Sequence, residues 1–118
     1  MEIGNIKFKA KKTLDGKWIK GDLVHHRDSD NVWITDYENQ LTSPVNPSTV
    51  CQFTGLKDKN GTPIYEGDIV IYKDNNAERK GVISWDSKAA SFCFGIGFLV
   101  HYPSENMIVI GNKFDKDK

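Results

Sequence analysis

The sequence has 118 residues, of which 38% are hydrophobic and 27% charged, and its formal net charge is zero. This length predicts one domain, or a domain with an appendage, that buries a modest core without metals or disulfides. The balanced charge excludes a global field that attracts nucleic acid or anionic membranes, and the composition is too apolar for wholesale disorder.

Alternating apolar and polar residues predict strands in the first part of the chain. Residues 6–11, IKFKAK, place apolar side chains on one face and lysines on the other. Asp15-Gly16 then predicts a hairpin turn. Trp18 to His26 is expected to form two short strands on either side of Gly21-Asp22, and Val32 to Thr35 the next one.

The middle of the chain is rich in turn-forming residues. Leu41 to Thr49 contains two prolines and is predicted to be a loop or linker. Val50 to Thr54 is a predicted strand, Asn60-Gly61 is a strong signal for a tight turn, and Ile69 to Tyr72 is the following strand.

The last part of the chain begins with polar residues 73–80, which are predicted to form a loop. At most a single helical turn is expected there, around Asn76 to Arg79. Strands are then predicted at Gly81 to Trp85, Phe92 to Tyr102 and Met107 to Ile110.

Residues 92–102 form the longest predicted strand. Glycine inside a strand marks a bend, a bulge or the close approach of another backbone, and Gly95 and Gly97 lie here. We therefore expect this strand to turn a corner in a small barrel. Its large side chains are predicted to share one face, namely Phe92, Phe94, Ile96, Phe98, Val100 and Tyr102.

Many short strands separated by glycine-rich turns predict an all-β protein with a small barrel-like core. Residues 1–45 are expected to form an N-terminal β-hairpin segment and linker. Residues 46–112 are expected to form the barrel core, and residues 113–118 a polar tail.

The Gly-Asp pairs before two apolar runs are interpreted as structural. Gly67 can adopt a positive φ, and Asp68 can accept hydrogen bonds from nearby backbone N–H groups before the strand begins. Gly21-Asp22 is expected to do the same before Leu23. The full predicted turn signature consists of Gly55, Asp58, Asn60, Gly61, Glu66, Gly67 and Asp68.

Patterns for catalysis or for a bound cofactor are weak in this sequence, so none is predicted. An EF-hand register on Gly61 puts Leu56 and Gly67 at ligand positions, which neither side chain can fill. A structural zinc site is not expected, because no CxxC pair is present and adjacent histidines in a strand point to opposite faces. An enzyme would require Asp58, Glu66 and a histidine to converge in a pocket.

The two cysteines, Cys51 and Cys93, lie far apart in apolar alternations typical of buried, inert thiols. No secretory signal precedes them, so a reducing cytoplasm is expected, with no disulfide. No run is long enough to cross a membrane as a helix.

Two groups of basic residues allow an alternative interpretation as a nucleic-acid surface. One consists of the lysines at positions 7, 9, 11 and 12. In a purely structural interpretation, the lysines form a solvated face and the three tryptophans lie in the core. The acidic residues interleaved with the lysines favour this structural interpretation. The other candidate set is Lys57, Lys59, Lys73, Arg79 and Lys80, with Trp85 as a stacking surface.

The segment QFTGLKDKNGTPIYEGDIV, Gln52 to Val70, resembles the YopX family of proteins encoded by phages and prophages. Residues 6–10, the segment GVISWD at Gly81 to Asp86 and the closing IGN at Ile110 to Asn112 also match that pattern. Lys11 stands where the family has an early tryptophan, and the tail after IGN departs from it. The resemblance implies a β-rich barrel-type fold and supplies no catalytic residues. GDIVIY with KGVISW is also similar to small Src-homology-3-like barrels of the KOW type.

The expected function is therefore that of a non-enzymatic phage or prophage accessory protein in the cytoplasm of a bacterial host. It is predicted to act as a protein-interaction or self-assembling β module that binds a host protein, a phage protein or its own copy. Nucleic-acid binding is the less favoured alternative, and no membrane partner is expected.

Overall fold

The computed structural model describes residues 3–95 and 97–115. In this part of the chain, short strands are joined by turns and by single 3₁₀ turns at Ile3–Asn5, Pro47–Thr49, Leu99–His101 and Ser104–Asn106. The strands are β1 (Phe8–Lys11), β2 (Trp18–His25), β3 (Val32–Asp36), β4 (Thr42–Val45), β5 (Cys51–Lys57), β6 (Pro63–Tyr65), β7 (Asp68–Lys73), β8 (Glu78–Asp86), β9 (Ser91–Phe94), β10 (Gly97–Phe98) and β11 (Met107–Asn112).

The chain divides into two compact units, Met1–Phe53 and Thr54–Lys118. The division falls within β5, at the start of the turn-rich segment. The sequence placed a boundary after residue 45 instead, and that assignment of segments stays a prediction. The polar tail was predicted for residues 113–118, of which 116–118 lie outside the described residues.

The first unit is an antiparallel sheet in which β4, β3, β2, β1 and the beginning of β5 are neighbours in that order. Period-two alternation puts one apolar side chain per pair of residues on the inner face. The end of β1 also meets β4 through a bridge between Lys12 and Val45. The core of this unit consists of Ala10, Ile19, Val32, Ile34 and Val45.

The second unit contains an antiparallel sheet in the order β10-β9-β8-β7-β11. Its inner face is buried, because Val70 and Tyr72 of β7 alternate with outward residues and Ile83 and Phe94 face each other across β8 and β9. The core of this unit consists of Ile64, Val70, Tyr72, Ile83, Phe94, Leu99 and Met107.

The all-β class predicted from the sequence is confirmed, whereas the barrel is not. Neither sheet of the described residues is closed into a barrel, although the Lys12–Val45 bridge brings the end of β1 beside β4 in the first sheet. Within residues 3–95 and 97–115, no helix is long and apolar enough to span a membrane.

The segment Leu41 to Thr49, predicted as a loop, contains the edge strand β4. Pro44 lies in this strand opposite Trp33, and its carbonyl oxygen accepts a hydrogen bond from the backbone N–H of Thr13. Since the N and O of one strand residue point the same way, the missing N–H of Pro44 is directed away from β3. An edge strand tolerates proline in this position.

Two predictions for the last part of the chain are wrong. The loop predicted over residues 73–80 is shorter, because Lys73 ends β7 and Glu78 begins β8. The run from Phe92 to Tyr102 is not one strand: Gly95 has a φ of 60°, and residues 99–101 form a 3₁₀ turn. The large side chains of this run therefore do not share one face, because Val100 is 81% exposed and Leu99 is buried. Ile96, which was predicted for the same face, lies outside the described residues.

Candidate functional site

Gly67-Asp68 forms the structural device predicted from the sequence. Gly67 has a φ of 89°, and Asp68 is almost fully buried at the start of β7. The Asp68 carboxylate accepts a hydrogen bond from the Tyr65 backbone N–H at 2.8 Å and one from the Asn112 side-chain amide at 2.9 Å. These bonds tie the turn before β7 to the end of β11.

Asp58 braces the other part of the turn-rich segment. One carboxylate oxygen accepts hydrogen bonds from the backbone N–H groups of Asn60 and Thr62, at 2.8 and 2.9 Å. The other accepts from the N–H of Val109 in β11, at 2.9 Å. The neighbouring N–H of Lys59 donates to the carbonyl of Met107, so this loop covers backbone groups that β11 directs away from β7.

The remaining members of the predicted turn signature fit this local geometry. Gly55 and Gly61 have φ values of 89° and 82°, in the region that glycine adopts at little steric cost. The N–H of Gly61 donates to the Asp58 carbonyl, and Glu66 is half-buried in the turn before Gly67.

Gly21-Asp22 differs from Gly67-Asp68, and the prediction of a second turn is wrong. Gly21 lies inside the continuous strand β2, paired with Asp36, and it is not among the glycines with positive φ. A Cβ atom at position 21 would overlap the carbonyl oxygen of Thr35, so glycine is required for close strand approach. Asp22 accepts a hydrogen bond from the Tyr37 hydroxyl at 3.0 Å.

The histidines and cysteines are dispersed in the structure. His26 packs edge-on against Trp33 and His101 lies near Phe98, with ring centroids 4.7 and 6.4 Å apart. No group of three or more metal-ligating side chains is present among the described residues. Cys51 is buried and its Sγ donates a hydrogen bond to the Thr49 carbonyl, whereas Cys93 is only partly buried where the sequence predicted a buried thiol.

The predicted nucleic-acid residues are spread over several surfaces of the second unit. Lys59 and Lys73 line one groove together with Glu78 and Glu105. Lys73 also lies directly opposite Glu78 in the sheet. This groove is therefore balanced in charge.

Lys80 lies opposite Ile71, beside this groove, and the other members of that set lie elsewhere. Arg79 and Lys80 are consecutive in β8, so their side chains leave the strand on opposite faces. Lys57 is exposed at the end of β5, and Trp85 packs edge-on against Phe92 with ring centroids 5.0 Å apart.

The first basic group is partly gathered around one ring. The ammonium groups of Lys9 and Lys11 lie 4.9 and 5.3 Å from the centroid of Trp18, and Lys20 is directly opposite Lys9 in the sheet. Trp18 and Trp33 are half-buried and Trp85 is 45% exposed, so the expectation that the tryptophans lie in the core is wrong.

An apolar groove lies within the second unit, where the sequence predicted no site. It has a volume of about 370 Å³, and none of the described residues that line it is charged. Phe92 connects it to the exposed ring of Trp85. The lining residues are Thr54, Leu56, Ser91, Phe92, Leu99, Val100, Tyr102, Pro103 and Ser104.

Close packing of aromatic rings supports one wall of this groove. Tyr102 contacts Tyr72 and Phe94 edge-on, with centroids 5.2 and 5.1 Å apart. A Cβ atom on Gly97 would come within 2.9 Å of the Tyr102 ring. Glycine at position 97 therefore leaves room for the Tyr102 side chain, whereas the sequence had predicted a bend, a bulge or the close approach of another backbone.

Comparison with known proteins places the chain in a family. The model described as YopX protein matches residues 7–117. The chain belongs to the YopX family. A search of curated proteins found no match.

The segments that carry the YopX resemblance meet in the structure. The Asp68 carboxylate binds the side chain of Asn112, the last residue of the IGN segment. Asp58 of the KDKNG turn binds the backbone of Val109, just before that segment. These YopX residues therefore join the turn-rich segment to the edge strand β11 by hydrogen bonds, and Thr54 and Leu56 of the same segment line the apolar groove.

Proposed function

We propose that this YopX-family protein is a prophage-encoded accessory protein that acts by binding another protein through the apolar groove. Family membership supports the phage or prophage origin. The observation that carries the proposal is the uncharged groove beside the exposed Trp85–Phe92 pair.

The occupant that fits this groove is an extended, uncharged peptide segment with apolar side chains. We therefore call the apolar groove the peptide groove. Leu56, Phe92, Val100 and Pro103 offer it apolar contact surface. The hydroxyl groups along the groove have acceptor capacity for the backbone N–H groups of a peptide. Burial of an acidic or basic side chain among these residues would carry an uncompensated desolvation cost.

The exposure of the lining residues fits a docking surface. Val100 is 81% exposed and Leu56 37% exposed, although both are apolar and lie next to an aromatic pair. Aromatic residues contribute large contact areas at low entropic cost in protein interfaces, and an apolar centre with a polar rim is the usual anatomy of such a site.

The proposal is tested by selecting peptides from a displayed random library on the purified protein. Selected sequences are expected to be uncharged and apolar, and to shift the amide resonances of residues lining the groove. Val100→Glu is expected to lower peptide affinity at least tenfold. Leu14→Glu is the matched control, since Leu14 is 92% exposed in the other unit, and it should leave the affinity unchanged.

Two outcomes of the selection would contradict this function. Selection that yields only charged peptides, or peptides that bind Val100→Glu and the parent equally well, would remove the groove from consideration. A photocrosslinker placed at position 100 in infected host cells then identifies the natural partner, with position 14 as its control.

A second candidate function, nucleic-acid binding, is favoured by the surface around Trp18. Lys9 and Lys11 place two ammonium groups beside one ring, with Lys20 next to Lys9. Phosphate contacts release counterions, so the affinity for a single-stranded probe should fall steeply with salt and with Lys11→Gln. The absence of an electrophoretic shift at low salt with single- and double-stranded probes would reject it.

A further inference from the structure

The outer face of the sheet in the second unit carries an aliphatic stripe. Antiparallel sheets usually bury one face and present polar side chains on the other. Here Ile69 lies opposite Val82, and Ile71 lies opposite Ile108. Since Ile69 and Ile71 are two residues apart on β7, the four side chains form one contiguous patch, which we call the outer stripe.

The outer stripe is accessible and is distinct from the peptide groove. Val82 is 36% exposed and Ile108 38% exposed. The residues that alternate with them on the same strands, such as Val70 of β7 and Ile83 of β8, point into the core. Phe92 of the peptide groove packs against that core too, so the two surfaces lie on opposite sides of the sheet.

Charged residues of both signs surround one end of the outer stripe. A groove of about 350 Å³ has Ile71 and Ile108 among its lining residues. Two lysines and two glutamates line the same groove, and Lys80 lies opposite Ile71 on the same face, so the rim carries charges of both signs with one positive charge in excess. The four charged residues that line the groove are Lys59, Lys73, Glu78 and Glu105.

We propose that the outer stripe is the contact surface for a second copy of this chain. In a two-fold dimer the same patch meets itself, so a surface rimmed by one sign of charge would repel its copy. A rim that carries lysines and glutamates together can instead place lysine against glutamate across the axis. The apolar centre supplies the driving force, and the rim sets the orientation.

The structure also disfavours a dimer that extends the sheet at β11. Along this edge, the Val109 N–H and the Met107 carbonyl are bound by the loop at Asp58 and Lys59. A second copy that added a strand here would have to displace those hydrogen bonds. Association by the face of the sheet leaves them intact.

The proposal is tested by measuring mass against protein concentration in analytical ultracentrifugation. The parent protein is expected to pass from monomer to dimer, and Ile108→Lys to raise the dissociation constant at least tenfold. Val82→Lys changes the same surface on a different strand, so a folding defect in one variant leaves the other informative. Val24→Lys is the control, because Val24 is 40% exposed in the other unit.

The charged rim supplies a separate test of the two-fold arrangement. Lys73→Glu alone should weaken the dimer, because it removes a lysine that faces a glutamate across the axis and adds a third glutamate to the rim. Combining it with Glu78→Lys restores the balance and should recover most of the lost affinity. A parent protein that stays monomeric at all concentrations, or a dimer unaffected by both Ile108→Lys and Val82→Lys, would overturn the proposal. A dimer broken by Val100→Glu instead would assign self-association to the peptide groove.

Discussion

Replacement of Asp58 by alanine tests the structural role of the YopX turn most directly. The side chain is 6% exposed and accepts three backbone hydrogen bonds, two within its own turn and one from β11. Alanine removes all three acceptors at once. The substitution leaves the apolar core of the second unit unchanged.

The expected cost follows from where the three donors lie. A hydrogen bond to an ionised acceptor contributes about 1.5–3 kcal/mol, and an unmatched buried donor costs about 1–3 kcal/mol. Asn60 and Thr62 are exposed, so water replaces the lost acceptor there, whereas the N–H of Val109 is partly buried. We therefore expect Asp58→Ala to lower the free energy of unfolding by about 2–4 kcal/mol.

The assay combines urea unfolding with amide hydrogen exchange. Asp86→Ala is the matched control, because its carboxylate accepts only local, exposed hydrogen bonds from Lys88 and Ala89. It should cost no more than about 1 kcal/mol. Exchange at Val109 should accelerate in Asp58→Ala and stay unchanged in the control. Equal losses of stability in the two variants, with normal protection of Val109, would refute the reasoning.

Two further predictions concern the first unit. Gly21→Ala should lower the free energy of unfolding by about 3 kcal/mol or more, because its Cβ overlaps the backbone of Thr35. Thermal unfolding checks this prediction. Gly4→Ala is the control and should be near neutral, because the space around Gly4 is open. Partial burial and the hydrogen bond to Asp22 raise the pKa of Tyr37 above its ordinary value. The neutral phenol is therefore favoured by folding, and its contribution is present below the unfolded pKa and lost as pH rises through the folded pKa. Resonances of labelled tyrosine should show this, with a smaller shift of the pKa in Asp22→Asn.

The two Gly-Asp pairs show how far local sequence determines structure here. Gly67-Asp68 was predicted correctly, because positive φ and a carboxylate bound to nearby N–H groups are local properties. Gly21-Asp22 is the same dipeptide but lies within a strand, where Gly21 is needed for the close approach of the Thr35 backbone. That neighbour comes from β3, and a local motif contains no information about it.

The same limit explains the errors elsewhere in the fold. Pro44 was taken to exclude a strand, yet its missing N–H is directed away from β3, so the hydrogen bonds between β3 and β4 lose no donor. The run from Phe92 to Tyr102 has perfect alternation in sequence, but the positive φ of Gly95 ends the strand. Most strands were therefore predictable, but β4 was missed, and the alternation of side chains did not reveal the break at Gly95.

The candidate site was the least predictable feature. The peptide groove joins Leu56 of β5 with Val100 and Pro103, which lie more than forty positions further along the chain. Its signal in sequence was the apolar run around residue 100, which periodicity assigned to a buried strand. The 3₁₀ turn at Leu99–His101 reverses that assignment, since it buries Leu99 and exposes Val100.

The Asp58 turn and the outer stripe together determine which kind of association the second unit can make. An exposed strand edge is a template for pairing with another chain. With Asp58 in place, the edge of β11 is occupied and the face remains available, so association should be closed and two-fold. In Asp58→Ala the N–H of Val109 is released, and edge-to-edge pairing should add to face contacts. The variant is then expected to form species larger than dimers in ultracentrifugation, and adding Ile108→Lys should remove the face contact but leave the edge pairing. If Asp58→Ala sediments as the parent does, the turn does not protect that edge.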